Sequence, residues 1–167
     1  MTDQIQQLVL MNERFAASED APAGELPAPP TRGVAIVTCM DARLDVYAAL
    51  GLRPGDAHVL RNAGGVITED MIRSLAISQR RLGTREVMLI HHTRCGMEGL
   101  DEDELLAELT RAAGVPPPFR PGGFDDVEAN IRESLRRVRH SPMLAHRDHV
   151  RGFVYDVDAG LLREVRE

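Results

Sequence analysis

The amino-acid sequence predicts a three-layer α/β fold: a central, mostly parallel sheet of four to five strands flanked by helices, with a helical arm at the N-terminus. Three observations lead to this fold class. Short β-branched apolar runs alternate with longer segments of helical periodicity, the connections between them are short, and a Pro-rich stretch separates the first helical segment from the rest. Such alternation is typical of parallel strands covered by helices. We therefore expect an arm over residues 1–30 and one α/β domain over residues 31–167.

Composition narrows the class of protein. The chain has 167 residues, 43% of them hydrophobic and 28% charged, which is enough for one domain with a substantial core. A net charge of −6 argues against nucleic acid or a membrane surface as a partner, and the Arg-rich run 132–139 is typical of a solvated helix face. The N-terminus lacks the basic start and apolar body of a signal peptide. We expect a cytoplasmic protein.

The predicted arm consists of a helix over residues 2–17 and a tether over residues 18–30. The helix carries a partial apolar stripe made of Ile5, Leu8, Val9 and Met11. The tether is irregular because it contains four prolines, Pro22, Pro27, Pro29 and Pro30. Apolar residues on a tethered helix need a surface to cover them, which is either a second subunit or the arm's own domain.

Within the domain, strand and helix signals follow one another in order. The predicted strands are 33–39, 57–61, 86–91 and 151–157, with a short terminal strand or helix after residue 160; the predicted helices are 44–50, 68–82, 101–112 and 125–140. Gly51 and Gly83 mark helix ends, and Thr68 provides an N-cap hydroxyl. The order strand, helix, strand, helix, strand predicts a parallel sheet.

Chemically distinctive side chains follow two of the predicted strands. Cys39, Asp41 and Arg43 follow the first strand, and His92-x-x-Cys95 ends the third. Ligands of open α/β sheets bind outside the carboxyl ends of the strands, at the point where the strand order reverses. If the first and third strands are neighbours, with the second on the far side of the first, the two segments meet there.

The two cysteines are better candidates for a metal site than for a disulfide, because disulfides are rare in a reducing compartment. A disulfide is the alternative. Two thiolates and one imidazole form the ligand set of a catalytic zinc, which keeps its fourth position open for water. The zinc lowers the pKa of that bound water from about 15.7 toward neutrality. His91 competes with His92 as the ligand, but strand alternation sends their side chains in opposite directions, and the spacing to Cys95 selects His92.

Together these motifs resemble the β-class carbonic anhydrases, in particular their short-chain bacterial subclass. The resemblance rests on Cys39-Met-Asp-Ala-Arg43, on Arg61-Asn-Ala-Gly-Gly65 and on His91-His-Thr-Arg-Cys95-Gly-Met97, and it extends over residues 31–157. It implies that Cys39, His92 and Cys95 bind one Zn²⁺ per chain and that Asp41 and Arg43 form a catalytic pair beside it. The implied reaction is the reversible hydration of CO2 to bicarbonate and a proton through zinc-bound hydroxide.

Several points within this interpretation stay open. We expect the open form of the site, in which Arg43 holds Asp41 off the metal, since a bidentate guanidinium clamp is directional. Arg94 points to solvent, or inward, where it would lower thiolate pKa values or obstruct the pocket. Gly64 and Gly65 are turn residues or line the substrate channel. Candidate proton shuttles are His58, His91, His140, His146 and His149.

Two rival functions and one assembly follow from the same residues. Relatives of this fold hydrolyse COS or CS2 with the same zinc site, so a related hydrolase is the nearest rival. A zinc-binding scaffold without activity is the other, and it is favoured if Arg94 blocks the mouth. The resemblance and the tethered arm together predict a homodimer or a dimer of dimers.

Overall fold

The structure, a computed structural model, describes residues 3–18, 20–21 and 26–166. The predictions that fall on Met1, Thr2, Glu19, residues 22–25 (including Pro22 of the tether) and Glu167 lie outside these ranges.

Five strands and five α-helices make up the fold, counted over the described residues. The strands are β1 (Val34–Cys39), β2 (His58–Asn62), β3 (Glu86–His92), β4 (Val150–Asp156) and β5 (Leu161–Val165); the helices are α1 (Gln4–Ala16), α2 (Val46–Leu50), α3 (Glu69–Leu82), α4 (Glu102–Ala113) and α5 (Val127–His140). Each predicted element is present with its ends shifted by no more than two residues, and the terminal segment after residue 160 is a strand.

Helix α3 shows how local sequence sets these boundaries. The Thr68 hydroxyl accepts a hydrogen bond from the backbone N–H of Met71, which satisfies a donor that the first turn leaves unpaired. Glu69 and Asp70 place negative charge at the positive end of the helix dipole. Gly83 ends the helix in the left-handed conformation that glycine adopts without steric cost.

The sheet order is β2-β1-β3-β4-β5, and the only antiparallel pair among these strands is β4 with β5. β1 thus lies between β2 and β3, and the strand order reverses beside it. The carboxyl ends of β1 and β3, which carry Cys39 and His92, are therefore adjacent, as the sequence predicted. The mostly parallel α/β fold class is confirmed.

One face of the sheet holds the main core. Helices α3 and α5 cover this face, and α5 contributes its predicted stripe of Ile131, Leu135 and Val138 together with the partly buried Val127. Gly152 of β4 lies directly under α5, because an added Cβ there would be 2.4 Å from the Ile131 side chain. Close packing of helix on sheet fixes the strand ends that carry the site.

The opposite face is covered more thinly. Among the described helices, only the five-residue α2 contributes to the core on this face, which lies around Ile36 and Ile90. Val34, Met88 and Val59 stay partly exposed. Helix α1 has no buried residue: Ile5 and Leu8 are 69% and 64% exposed. The arm therefore does not bury its apolar stripe on its own domain. Among the described residues, no helix combines the length and apolarity needed to cross a bilayer.

Candidate metal centre

Three donor atoms converge at the carboxyl ends of β1 and β3. Donor atoms of Cys39, His92 and Cys95 all lie within 4.8 Å of one another, and all three residues are buried. The Cys39 and Cys95 sulfurs are 3.9 Å apart, and both cysteines are free, which excludes the disulfide alternative for this structure. The two motifs, separated by about fifty positions in sequence, therefore meet as the predicted topology requires.

The His92 imidazole is oriented for ligation through Nε2. Its Nδ1 lies 2.9 Å from the Thr93 carbonyl oxygen, which can only accept, so Nδ1 carries the proton and donates. Its Nε2 is buried and has no hydrogen-bond partner among the described residues. An unpaired lone pair in a buried site is costly unless something binds it, so this orphaned nitrogen fits a metal ligand.

The two thiols have different acidities. Burial would raise the pKa of Cys39, but the His92 imidazole and the backbone N–H groups of Asp41 and Gly64 outweigh burial and lower it to about 7. Burial and the neighbouring Cys39 raise the pKa of Cys95 to about 11 despite the Met97 N–H. Burial also opposes protonation of His92, yet the Cys39 thiol, the Thr93 carbonyl and the Asp41 carboxylate together raise its pKa.

Asp41 stands beside the three donors without joining them. Arg43 donates to both of its carboxylate oxygens, and the Arg43 backbone N–H donates to Oδ1 at 2.9 Å. These bonds hold the pKa of Asp41 far below its usual range, so the group is a carboxylate at physiological pH. Its Oδ2 lies 3.8 Å from His92 Nε2, beyond hydrogen-bond distance. Asp41 is thus paired with Arg43, as the open form expected from the sequence requires.

Arg94 turns away from the site. Its side chain is 60% exposed and pairs with Asp158, while its backbone carbonyl accepts a hydrogen bond from Arg43 Nη2 at 2.8 Å. Among the described residues it is the only non-glycine with positive φ, at 54°, a conformation that bends the chain between His92 and Cys95. The solvent-facing alternative is therefore the one observed. Because the Arg94 side chain does not block the mouth of the site, the observation that would have favoured an inactive zinc-binding scaffold is not present.

The turn formed by Ala63, Gly64 and Gly65 is packed tightly against the end of β1. Gly64 and Gly65 have φ of 76° and 69°, and both are buried. An added Cβ on Gly65 would lie 2.9 Å from the Cys39 nitrogen and from the Thr38 carbonyl carbon. Gly65 is thus needed for close backbone approach to the Cys39 loop, in addition to its place in a turn.

Arg61 is a site residue to which the sequence analysis gave no role. Its Nε donates to the Cys39 carbonyl at 2.9 Å and its Nη2 to the Asp41 carbonyl at 2.7 Å. The side chain therefore fixes the backbone of the loop that carries both residues. The adjacent glycine pair drew attention to this segment, but bonds to carbonyl groups leave no signature in the sequence.

The candidate proton shuttles lie elsewhere. His58 pairs in register with Ala35 near the start of β1, and the His149 carbonyl accepts from Val87 near the start of β3. His140 Nδ1 lies 2.8 Å from the carbonyl oxygen of Arg136 on α5. The His146 carbonyl accepts a hydrogen bond from the Gln79 side chain on α3. Of the five candidates only His91 lies near the donors. It is fully buried, and burial lowers its pKa to about 4, so it is unsuited to carry protons to solvent.

The donor set fits zinc. Zn²⁺ prefers tetrahedral sulfur and nitrogen ligands, and a Zn–S bond of about 2.3 Å places two sulfurs about 3.8 Å apart in a tetrahedron. The observed separation of 3.9 Å is close to this value. Three protein donors leave one position for water or substrate, which is the pattern of catalytic rather than structural sites.

Comparisons with known proteins agree with this geometry. Residues 34–111 match the family model described as carbonic anhydrase. The chain is 51% identical over 142 residues to β-carbonic anhydrase 1 of Mycobacterium tuberculosis, covering 85% of this chain and 87% of that protein. The crystal structure of a carbonic anhydrase from Streptococcus mutans superposes with a TM-score of 0.90 at 40% identity and covers 99% of each chain.

A second activity occurs among the relatives. A carbon disulfide hydrolase of Acidithiobacillus thiooxidans is 36% identical over 156 residues, with 81% of this chain and 78% of that protein covered. The mycobacterial carbonic anhydrase is more similar than this hydrolase, with 51% against 36% identity, and its match covers a larger share of both proteins.

Proposed function

This chain belongs to the β-carbonic anhydrase family, an enzyme family of the lyase class, and we propose that it is a zinc-dependent enzyme that interconverts CO2 and bicarbonate. The observation that carries the proposal is the convergence of Cys39, His92 and Cys95 beside a carboxylate held back by Arg43. We propose the first three as zinc ligands, one ion per chain, and Asp41 and Arg43 as the catalytic pair. Zinc held there would supply a nucleophile by lowering the pKa of water toward neutrality.

Asp41 orients the reacting oxygen in this proposal. Its Oδ2 faces the same space as His92 Nε2, at 3.8 Å, and as a carboxylate it accepts hydrogen bonds without donating any. It can therefore accept a hydrogen bond from the attacking oxygen and turn the lone pair of that oxygen toward CO2. Arg43 prevents the carboxylate from filling the open ligand position, because the planar guanidinium holds both oxygens at once.

The surroundings of the cysteines suit an uncharged substrate. Leu44 is buried with Cys39 and Cys95, and the partly buried Met97, Phe124 and Val157 pack against them. An apolar wall offers no hydrogen bonds that would compete for CO2, whereas product bicarbonate is charged and favours release to water.

The product proton must leave without a histidine relay in this proposal. The four exposed or half-buried candidates lie away from the donors, and His91 is enclosed. The Asp41 side chain, 17% exposed, lies at the solvent edge of the site. We therefore assign proton export to water and buffer on the Asp41 side.

A homodimer is the smallest assembly that we propose. Two apolar surfaces lack partners among the described residues: the stripe of α1 and the thinly covered sheet face with Val34 and Met88. A monomer would leave both in water, whereas exchange of arms between two copies would cover them by symmetry. A dimer of dimers stays compatible with this contact.

The cytoplasmic location expected from the sequence remains part of the proposal. The site needs Cys39 and Cys95 as thiolates, and their sulfurs lie close enough to be lost to oxidation once the metal leaves. A reducing compartment protects them.

Hydrolysis of CS2 or COS is the alternative function. The named carbon disulfide hydrolase relative supports it, and a Cys-His-Cys site with apolar surroundings would suit either substrate. The donor residues do not discriminate between these reactions, so substrate turnover must.

The proposal is tested by measuring zinc content and turnover in the same preparation. Stopped-flow proton release should be fast with CO2, and sulfide release from CS2 should be slow. Cys39→Ser and Cys95→Ser should lose both zinc and turnover, whereas Met40→Ser, a matched change at an exposed neighbour of Cys39, should keep its zinc. Faster turnover of CS2 would favour the alternative, and one zinc per chain without any turnover would favour the scaffold. Wild-type protein that binds no zinc would refute the proposal.

A further inference from the structure

His91 is a fully buried histidine that the proposed mechanism does not use. Its neighbour His92 points into the donor cluster, and strand alternation turns His91 toward the other face of the sheet. There it contacts Gly65, which precedes α3, and Phe124, which precedes α5. The contact with Gly65 supports the part of the candidate metal centre that carries Cys39, and the contact with Phe124 supports the part that carries Cys95.

The first contact reaches the half that carries Cys39. His91 Nε2 lies 3.2 Å from the Gly65 carbonyl oxygen, which can only accept, so Nε2 carries the proton and donates. Gly65 in turn lies so close to the Cys39 backbone that an added Cβ would be 2.9 Å from its nitrogen. The backbone N–H of Gly64, in the same turn, is directed at the Cys39 sulfur. The hydrogen bond from His91 therefore holds this turn in place.

The second contact reaches the half that carries Cys95. The His91 ring stacks on Phe124, with centroids 5.9 Å apart and an interplanar angle of 22°. The Phe124 backbone N–H donates to the Met97 carbonyl at 3.1 Å, and the Phe124 carbonyl accepts from Gly99 at 2.8 Å. The Met97 N–H is directed at the Cys95 sulfur. The ring of His91 thus supports the loop that begins at Cys95.

We propose that His91 is a positioning residue that sets the separation of Cys39 and Cys95 by bridging the Gly65 turn to the Phe124 loop. The inference rests on the proposed function in taking the two sulfurs as ligands of one metal. His91 is not itself a ligand, since the donor atoms that converge among the described residues are those of Cys39, His92 and Cys95. Only Nε2–H and the ring faces do the positioning.

Two substitutions separate these contacts. His91→Phe keeps a ring that can stack on Phe124 but leaves the buried Gly65 carbonyl without its donor. His91→Gln keeps a donor for Gly65 but removes the ring. Leu89→Ala is the matched control, because Leu89 lies two residues earlier on the same face of β3, is fully buried and belongs to the main core. Leu89→Ala removes more side-chain packing than either His91 substitution, and it leaves both contacts of His91 intact.

The test measures zinc affinity by competition with a chelator. Changes around metal ligands typically weaken affinity roughly 10–100-fold, and we expect weakening in this range for both His91 variants. Leu89→Ala should lower the melting temperature yet bind zinc like the wild type, with Leu89→Val in its place if the alanine variant does not fold. Wild-type affinity in both His91 variants would overturn the inference, as would an equal loss in the control.

A second measurement tests the sulfur separation without zinc. Phenylarsine oxide reacts with two thiols to form a cyclic dithioarsonite and one water, and it does so only where both sulfurs can reach one arsenic. The metal-free wild type should form this adduct quickly, and both His91 variants should form it several-fold more slowly. Equal rates would overturn the inference. Failure of the wild type to bind zinc would refute the proposed function instead, since the arsenical still reports on His91.

Discussion

The Arg43 guanidinium donates two parallel hydrogen bonds to the Asp41 carboxylate, from Nε to Oδ1 at 2.9 Å and from Nη2 to Oδ2 at 2.7 Å. Nη2 also donates to the Arg94 carbonyl, so the clamp is anchored to the loop that leads to Cys95. Two residues apart in sequence, the pair thereby connects both halves of the metal centre. In the proposed mechanism, this clamp keeps the carboxylate beside the open ligand position rather than in it.

Arg43→Lys should lower CO2 hydration roughly 10–100-fold, the range typical of changes around metal ligands. A lysine ammonium is a point charge and cannot hold both carboxylate oxygens in one plane. Freed from the clamp, Asp41 should become the fourth ligand, which the absorption spectrum of the cobalt-substituted protein would reveal as a change in coordination. Asp41→Asn in the Arg43→Lys background provides the control, since an amide is a poor ligand. An unchanged rate in Arg43→Lys would show that the clamp is not needed.

Sequence reasoning could find the residues whose role can be inferred from residue type and from spacing along the chain. Cys39, His92 and Cys95 follow strands whose apolar character predicts neighbouring carboxyl ends, and Asp41 with Arg43 are close enough in sequence to pair. Strand alternation predicted that the side chains of His91 and His92 point in opposite directions, and the spacing to Cys95 selected His92. The fold followed from the same patterns, because alternating strands and helices permit few topologies.

What sequence reasoning could not find depends on long-range contacts of the backbone. Arg61 reaches carbonyl groups 22 and 20 residues away, and any residue type supplies a carbonyl. The direction of Arg94 and the tight approach of Gly65 to Cys39 depend on loop conformation, which spacing does not determine. The thin cover of one sheet face is likewise a property of the whole packing.

Gly65→Ala should weaken zinc binding and destabilise the fold. The new Cβ would lie 2.9 Å from backbone atoms that cannot move without shifting Cys39, and φ of 69° adds strain of order 1–3 kcal/mol. Gly33→Ala is the matched control, because its φ is 63° but no atom lies within 4 Å of its added Cβ. Thermal unfolding should report strain in both variants, and zinc titration should report a loss in Gly65→Ala alone. Equal zinc affinity in the two would contradict the close-approach argument.

Zinc affinity should rise with pH, and the number of protons released should fall as the pH passes through 7. Binding needs two thiolates and a neutral imidazole. Below the Cys39 pKa of about 7, protons compete with the metal for both thiols and for His92, whose pKa is raised. Between pH 7 and the Cys95 pKa of about 11, Cys95 is the main ligand from which the metal must displace a proton. Because a water bound to the zinc would itself lose a proton near neutral pH, the count is taken with a saturating anion such as thiocyanate in the open position. Calorimetry in buffers of different ionisation enthalpy should then give about two or more protons at pH 6 and about one at pH 9; a pH-independent count would contradict this order of acidities.

Leu8→Asp combined with Met11→Asp should convert the proposed homodimer to a monomer. Leu8 and Met11 are 64% and 60% exposed in the single chain, and a partner that buries them would have to desolvate two carboxylates in the double variant. Gln6→Asp, on the same helix but outside the apolar stripe, should leave the assembly intact. Sedimentation velocity distinguishes the states. A wild-type protein that sediments as a monomer would contradict the arm-exchange proposal.

Anomalous diffraction at the zinc edge from crystals of the zinc-loaded protein would locate the metal and its ligands. We expect one peak per chain, bonded to the sulfurs of Cys39 and Cys95 and to Nε2 of His92, with a water or small anion as the fourth ligand and Asp41 still held by Arg43. A peak away from these three atoms, or an Asp41 oxygen in the fourth position, would contradict this expectation.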